Sequence, residues 1–312
     1  MRKFTSWLLK ETKGVTLLDK SILLFIKIIY LALRVSIRII LGKKRTDKLY
    51  IKRNIGFNSF LYKSLKFLSI GNSMLLKINV PKYDYKFYCR VNNEDYTFMT
   101  GHEDEVEEHF SPKDGEIIVD VGAHIGHYTI ISSKRVGPNG KVIAIEAHPD
   151  NFEMLNRNIK LNKLTNVIPL NYAVYSKETK LKLYLPVEES GFTIYNTIMV
   201  NRAKPEEKSI EVNANTLDNL LLQRQKQKQN GISHENINWI KIDVEGAEFE
   251  VLKGATSILS KSKDISLLIE VHGNDNYKPI VEFLKTYNFK IEFEKSNENG
   301  DWRHIIARKP SL

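Results

Sequence analysis

Cysteine is almost missing from this chain: Cys89 is the single one in 312 residues. An internal disulfide is therefore excluded, and a reducing compartment is the natural setting. Acidic charge is scarce at one end. Residues 1–53 hold 14 Lys/Arg against 3 Asp/Glu, a balance of +11, so the other 259 residues carry −1 of the formal total of +10. A fold that grips nucleic acid spreads positive charge over its site face, and this distribution argues against one. A long uncharged apolar run is missing too. The most apolar stretch, 21–41, is interrupted by Lys27, Arg34 and Arg38. With Lys27 inside it and no Ala-x-Ala cleavage pattern after it, a signal peptide is not supported.

That stretch is nevertheless distinctive. On a helix at ~100° per residue its three cations fall within roughly 40° of one another, a narrow charged stripe on an apolar cylinder. Lys43, Lys44 and Arg45 follow directly, as in segments drawn to anionic headgroups. Three placements are open: a helix lying in the membrane interface, a helix buried in protein or an oligomer, and a span. Residues 1–72 read as a basic amphipathic helical segment with possible peripheral membrane contact through 20–53. A cytoplasmic location, at the inner face of the membrane, goes with it. Residues 73–115 read as a short lead-in of strands (Met74 to Val80, Tyr85 to Val91, Tyr96 to Met99) and a polar helix, Gly101 to Phe110. The histidines and acids of that helix are metal ligands or, more plainly, a solvated face.

The remainder, 116–312, is organised around Ile117-Ile-Val-Asp-Val-Gly-Ala-His-Ile-Gly126. Ile117, Ile118 and Val119 form a buried parallel strand closed by Asp120. Gly122 and Gly126 allow a tight turn in which bare backbone meets a ligand. A helix from His127 to Arg135 and a strand from Lys141 to Ile145 follow, and Glu146 stands at the strand's tip. A glycine turn with an acid about 20 residues on is the nucleoside-binding layout, the acid accepting from both ribose hydroxyls. The third glycine that seats a pyrophosphate is lacking, and Asp120 occupies the place where phosphate would sit. An acid there favours a cationic, phosphate-free nucleoside, which S-adenosylmethionine is. The plainer alternative is a structural turn with Asp120 as a cap.

Downstream, Pro149 breaks the strand, and Asp150 or Asn151 caps a helix from Phe152 to Leu161. Val167 to Leu170 is a third strand that Asn171 to Val174 extends. Lys180 to Leu185, Phe192 to Met199 and Ser209 to Val212 make a β-rich insertion, and Gln223 to Gly231 is a polar loop or frayed helix end. A second constellation is Ile237-Asn-Trp-Ile-Lys-Ile-Asp243-Val-Glu-Gly-Ala-Glu248. It predicts a strand ending at Asp243 and a helix running through Val251, Leu252, Ile258 and Leu259. Asp243 and Glu245 suit a helix N-terminus, but three acids exceed what capping needs. The strand Leu267 to His272 puts Glu270 and His272 on one side. A helix from Tyr277 to Tyr287 and a closing hairpin, Phe289 to Glu294 with Trp302 to Arg308, complete the chain.

Alternating strands and helices with a final antiparallel pair resemble the class I S-adenosylmethionine-dependent methyltransferase fold. This is Rossmann-like α/β: a seven-stranded, mostly parallel sheet with helices on both faces. The motifs are similar to those of the FkbM family: Asp120 to Gly126, Glu146 to Phe152, Thr216-Leu217-Asp218 and Ile242 to Glu248. The resemblance covers roughly residues 95–272, with His124 where the family usually has Asn. It implies that Asp120, Gly122, Ala123, His124 and Gly126 cradle the methionine end of S-adenosyl-L-methionine. Glu146 would hold the ribose, and Asn171 and Ala173 would flank the adenine. Asp243 would meet the methionine ammonium or the acceptor.

Methyl transfer needs a base on the acceptor hydroxyl. The expected base is Asp243 or Glu245, then Glu270 or His272, while capping and cofactor contact are the competing role for the first two. No metal is expected; an ion on Asp243, Glu245 and Glu270 would serve, but no spacing sets its geometry. O-methylation of a sugar, glycolipid or small-molecule acceptor is favoured, without nucleic acid. RNA methylation lacks the Asn/Asp-Pro-Pro-aromatic signature of amino-group methylation. A non-catalytic cofactor-binding membrane protein is the third class. Neither acceptor nor oligomeric state has a motif.

Overall fold

The computed structural model describes residues 75–80, 85–90, 104–185, 208–226, 232–297 and 302–309. The membrane-leaning segment 20–53, the helix expected at 54–70 and the strands expected at Tyr96 to Met99 and Phe192 to Met199 lie outside them. Among the described residues no helix is long and apolar enough to cross a membrane. The chain divides into two compact units, Met1–His102 with Glu189–Ile194, and Glu103–Glu188 with Tyr195–Leu312. In the first, β1 (Leu75–Val80) and β2 (Tyr85–Arg90) form an antiparallel hairpin. Tyr85, Phe87 and Cys89 alternate inward at period two and are buried.

The second unit opens with a short helix, α1 (Asp104–His109). It is only partly the solvated helix expected: Val106 and Glu107 are buried. Five parallel strands follow in sequence, β3 (Ile117–Val121), β4 (Lys141–Ile145), β5 (Val167–Leu170), β9 (Trp239–Ile242) and β10 (Ser266–His272). The closing hairpin, β11 (Lys290–Ser296) and β12 (Trp302–Arg308), adds an antiparallel edge. The order across the sheet is β11-β12-β10-β9-β3-β4-β5. This is the seven-stranded Rossmann-like α/β arrangement expected. Every residue of β3 is buried, because helices cover both faces. Ile117, Val119 and Val121 join one apolar cluster with Ile240, Ile242, Leu267 and Ile269, while Ile118 joins another with Phe110, Tyr128 and Trp239. Period-two alternation thus divides the sheet into two cores and turns Asp120 toward the Ile118 side.

The elements differ from expectation in three places. After α2 (His127–Val136), α3 (Pro149–Leu161) starts earlier than expected because Pro149 occupies its first turn, so the cap falls on His148, whose Nδ1 accepts from Asp150 N–H at 3.1 Å. The chain does not extend β5 past Leu170. β6 (Ala173–Val174) joins a separate sheet with β8 (Lys208–Asn215) and β7 (Thr179–Leu185), in the order β6-β8-β7. The helix expected beyond Asp243 is two helices, α5 (Glu248–Lys253) and α6 (Thr256–Lys261). Gly254 separates them, where an added methyl would overlap the Tyr175 carbonyl oxygen. Asp218, at the start of α4 (Leu217–Lys226), caps α6 by accepting from Ser257 N–H at 2.8 Å and Ile258 N–H at 3.0 Å. The last helix, α7 (Asn274–Thr286), precedes the hairpin.

Candidate active site

The sheet's topological switch lies between β3 and β9, where α/β sheets bind ligands beyond the carboxyl ends of their strands. The β3 turn meets the end of β9 closely. Gly122 has φ +76°, and a side chain on it would overlap the Asp243 carbonyl oxygen. Asp243 N–H bonds the Val121 carbonyl at 3.1 Å, which locks the two strand ends together. His124 is left-handed too, at φ +50°. That is a conformation Asn adopts more readily than most residues, and it accounts for a family Asn at this position without any side-chain contact. Gly126 at φ +100° precedes α2.

Glu146 stands at the tip of β4, 7% exposed. Its Oε2 accepts from His124 N–H at 2.8 Å, and its Oε1 from His148 N–H at 2.8 Å and, at 3.5 Å, from the Asn151 amide. Burial pushes its pKa up, and those hydrogen bonds oppose the rise. A carboxylate offers about four lone-pair sites; the two short amide bonds hold this one still, and the other two, one of them shared with the long Asn151 contact, are left for ribose hydroxyls. Asn171 donates to the Glu146 carbonyl at 2.8 Å and the Ala147 carbonyl at 3.1 Å, fixing the backbone beneath that acid. The Ala173 methyl lies in the apolar cluster of the small sheet, with Leu183, Val212 and Ala214. Ala123 is buried against Ala144 and Leu155.

Asp120 is 1% exposed; its Oδ2 accepts from the Thr129 hydroxyl at 2.5 Å, and burial pushes its pKa up. Its Oδ1 is buried without a hydrogen bond and lies 3.7 Å from Lys241 Nζ. The Lys241 ammonium also donates to Asp243 Oδ2 at 3.2 Å and the Gly122 carbonyl at 3.1 Å. The chemistry of these groups is compatible with S-adenosylmethionine: bare glycine backbone, an acid at a strand tip that could accept from a ribose, and a buried acid with spare acceptor capacity that would suit a cationic group.

Beyond the switch, Glu245 is left-handed at φ +55° and the following Gly246 at +106°. This tight turn carries the second constellation back toward β10. There, His272 sits among three carboxylates. Its Nδ1 donates to Glu248 Oε1 at 2.9 Å, and its Nε2 lies 3.3 Å from Glu245 and 3.5 Å from Glu270. Glu270 and His272 do share one side, as expected. Burial alone would lower the His272 pKa; Glu245, the bond to Glu248 and the Glu270 charge override it and raise it to about 10. Burial would raise Glu270, but the imidazoles of His304, at 3.1 Å, and His272 hold it well below the usual carboxylate range.

Asp243, Glu245 and His272 each bring one ligand atom within 4.8 Å of the others. This triad differs from the set weighed from the sequence, Asp243, Glu245 and Glu270; Glu270 pairs instead with His304 of β12.

Four participants escape a reading of the sequence. Lys241 had a signal, a lone charge inside an apolar strand. Glu248 did too, as the surplus acid of its motif. His304 and Thr129 had none: His304 is opposite Glu270 only through strand register, and Thr129 lies in an ordinary helix turn.

A family model described as a methyltransferase FkbM domain matches residues 120–291. A hexuronic acid methyltransferase of Haloferax volcanii is 28% identical over 197 residues, 63% of this chain and 72% of that protein. A methyltransferase of Sordaria araneosa is 32% identical over 154 residues, 44% of this chain and 59% of its own. The crystal structure of an FkbM methyltransferase from Methylobacillus flagellatus superposes with a TM-score of 0.42 at 15% identity, covering 69% of this chain and 53% of that one.

Proposed function

The chain belongs to the FkbM family of methyltransferases, and from that premise we propose that it methylates a hydroxyl oxygen on a sugar, glycolipid or other small-molecule acceptor. Its cofactor is S-adenosylmethionine, which supplies an electrophilic methyl group on a sulfonium. Asp120, Glu146 and the glycine turn would hold it. The observation that carries the acceptor reading is the carboxylate pair Asp243 and Glu245, which stands across the switch point from the glycine turn. An acid there can take the hydroxyl proton as the oxygen approaches the methyl carbon. His272 and Glu270 fit a supporting role: the imidazolium has no free lone pair, and Glu270 is engaged by two imidazoles. The hexuronic acid methyltransferase among the relatives supports a sugar acceptor.

The experiment is methyl transfer from labelled S-adenosylmethionine into glycolipid, small-molecule and RNA fractions. Label in the glycolipid or small-molecule fraction supports this reading, and label in RNA alone overturns it. The +11 charge of residues 1–53 supports a further part of the proposal, peripheral binding at the cytoplasmic face of the membrane. Flotation with anionic liposomes should then depend on those residues, and equal flotation without them would sink the idea.

A further inference from the structure

We propose that Asp243, Glu245 and His272 form a binding site for one first-row divalent metal ion. The three residues arrive from different elements: Asp243 from the end of β9, Glu245 from the left-handed turn after it, and His272 from the end of β10. Their ligand atoms lie within 4.8 Å of one another, so small side-chain rotations bring all three onto one ion, whose opposite ligands stand about 4.2 Å apart. His272 Nε2 and the facing Glu245 oxygen are 3.3 Å apart. Two ligands each about 2.1 Å from a shared ion and that far apart subtend roughly 100° at it, an ordinary angle between neighbouring ligands.

A second observation points the same way. Glu248, fully buried, accepts the Nδ1–H of His272 at 2.9 Å and so aims Nε2 at the two carboxylates. A carboxylate behind a ligating imidazole is the usual support of a metal-bound histidine. Glu248 is itself held by Gly246 N–H at 2.8 Å, and its other oxygen is buried without a hydrogen bond. Charge balance is the third. Asp120, Asp243, Glu245, Glu248 and Glu270 face one ammonium, Lys241, and two imidazoles, His272 and His304. Among the described residues, even with both imidazoles protonated, five carboxylates meet three cationic groups in a largely buried site. Uncompensated buried charge is costly, and a divalent cation that takes the place of the Nε2 proton cuts this excess from two to one. The ion would replace the proton on Nε2, drawn by the same field.

The donor set, one imidazole nitrogen and two carboxylate oxygens, suits Mn2+ or its first-row neighbours better than Mg2+, which prefers oxygen alone. What the ion does rests on the proposed hydroxyl acceptor; whether it binds does not. Bound there, it lowers the pKa of an acceptor hydroxyl. The proton leaves to a site carboxylate, the O–CH3 bond forms as the S–CH3 bond breaks, and the electron pair passes to sulfur.

The test is titration of the EDTA-stripped full chain with MnCl2, followed by the disappearance of the free-ion electron paramagnetic resonance signal. One Mn2+ per chain is expected, with pulsed resonance showing nitrogen coupling from one imidazole. His272→Ala should weaken binding by at least about tenfold, and Glu248→Gln by about 10- to 100-fold. S-adenosylmethionine titration in EDTA, run on each variant, checks that it has folded. No Mn2+ uptake by the wild type, bound Mn2+ without nitrogen coupling, or affinity unchanged in folded His272→Ala would each overturn the site. Loss of Mn2+ binding with intact cofactor binding sinks the metal site alone. Mn2+ binding without cofactor binding sinks the methyl-transfer reading instead.

Discussion

The two halves of the site use carboxylates differently. On the β3–β4 side, Glu146 is held chiefly by the backbone amides of His124 and His148, which belong to the turns themselves, with Asp120, paired to the Thr129 and Lys241 side chains, as the exception. On the β9–β10 side, the acids are matched to side chains: Lys241 with Asp243, His272 with Glu245 and Glu248, His304 with Glu270. Backbone partners come with the fold, because a turn of fixed shape presents its N–H groups whatever its side chains are. Side-chain partners must be recruited from other strands, and they titrate and exchange. The first half is therefore a preformed cradle, and the second is an adjustable charge cluster suited to chemistry.

The largest expected effect would break the seam between the halves. Gly122→Ala adds a methyl where the Asp243 carbonyl already sits, at a φ of +76°. A loss of at least about 3 kcal/mol in denaturant unfolding, or no folded protein, is expected. Near-wild-type stability would mean that the two strand ends are not in contact. Next, Asp243→Ala should cut turnover about 10²- to 10⁴-fold once an acceptor is identified, while cofactor affinity changes far less. Full turnover would remove Asp243 from the chemistry and make both halves binding surfaces.

Glu146→Ala sharpens the contrast from the other side. With charge-assisted hydrogen bonds of about 1.5–3 kcal/mol each to the ribose, a loss of two implies roughly 100-fold weaker cofactor binding or more. Calorimetry with S-adenosylmethionine measures it; unchanged affinity would mean that Glu146 serves only the turn. Smaller still, Asp218→Ala should cost about 1–2 kcal/mol by removing the cap of α6, with cofactor affinity unchanged. This separates a structural member of the family motifs from those at the site.

A pH trend is expected as well, confined to the β10 half. The folded pKa of His272, about 10, lies above its ordinary 6.5. Its ion pairs therefore stabilise the fold fully below pH 6.5, and that contribution fades as pH rises toward 10. In EDTA, the thermal midpoint should fall from pH 7 to 10 more steeply in wild type than in His272→Gln. Equal slopes would mean that His272 is neutral throughout.

Local pattern made the first half readable. Ile117 to Val119, Gly122, Gly126 and Glu146 fall within 30 residues, and each signal is a local one: a buried run, a turn glycine, an acid at a strand tip. The same locality misled at Asn171 to Val174. Their pattern continues a strand, but nothing in it says which sheet is joined, and Ala173 and Val174 pair with β8. It misled again at Gly254, where a helical pattern runs on but one helix ends and another begins, at a residue where an added side chain would meet the Tyr175 carbonyl.

Sequence alone determined the alternating α/β order, the glycine turn, the acid at the tip of the next strand and the acidic motif at 243–248, because burial period and backbone constraint are written residue by residue. Only the tertiary structure decided which charges meet. Strand order placed β9 and β10 side by side, and the antiparallel register of β12 set His304 against Glu270. It thereby left His272, rather than Glu270, facing Asp243 and Glu245. The physical reason is distance along the chain: a carboxylate and an imidazole attract only within a few ångströms, and the cores on either side of the sheet, rather than the charges, fix which residues come that close.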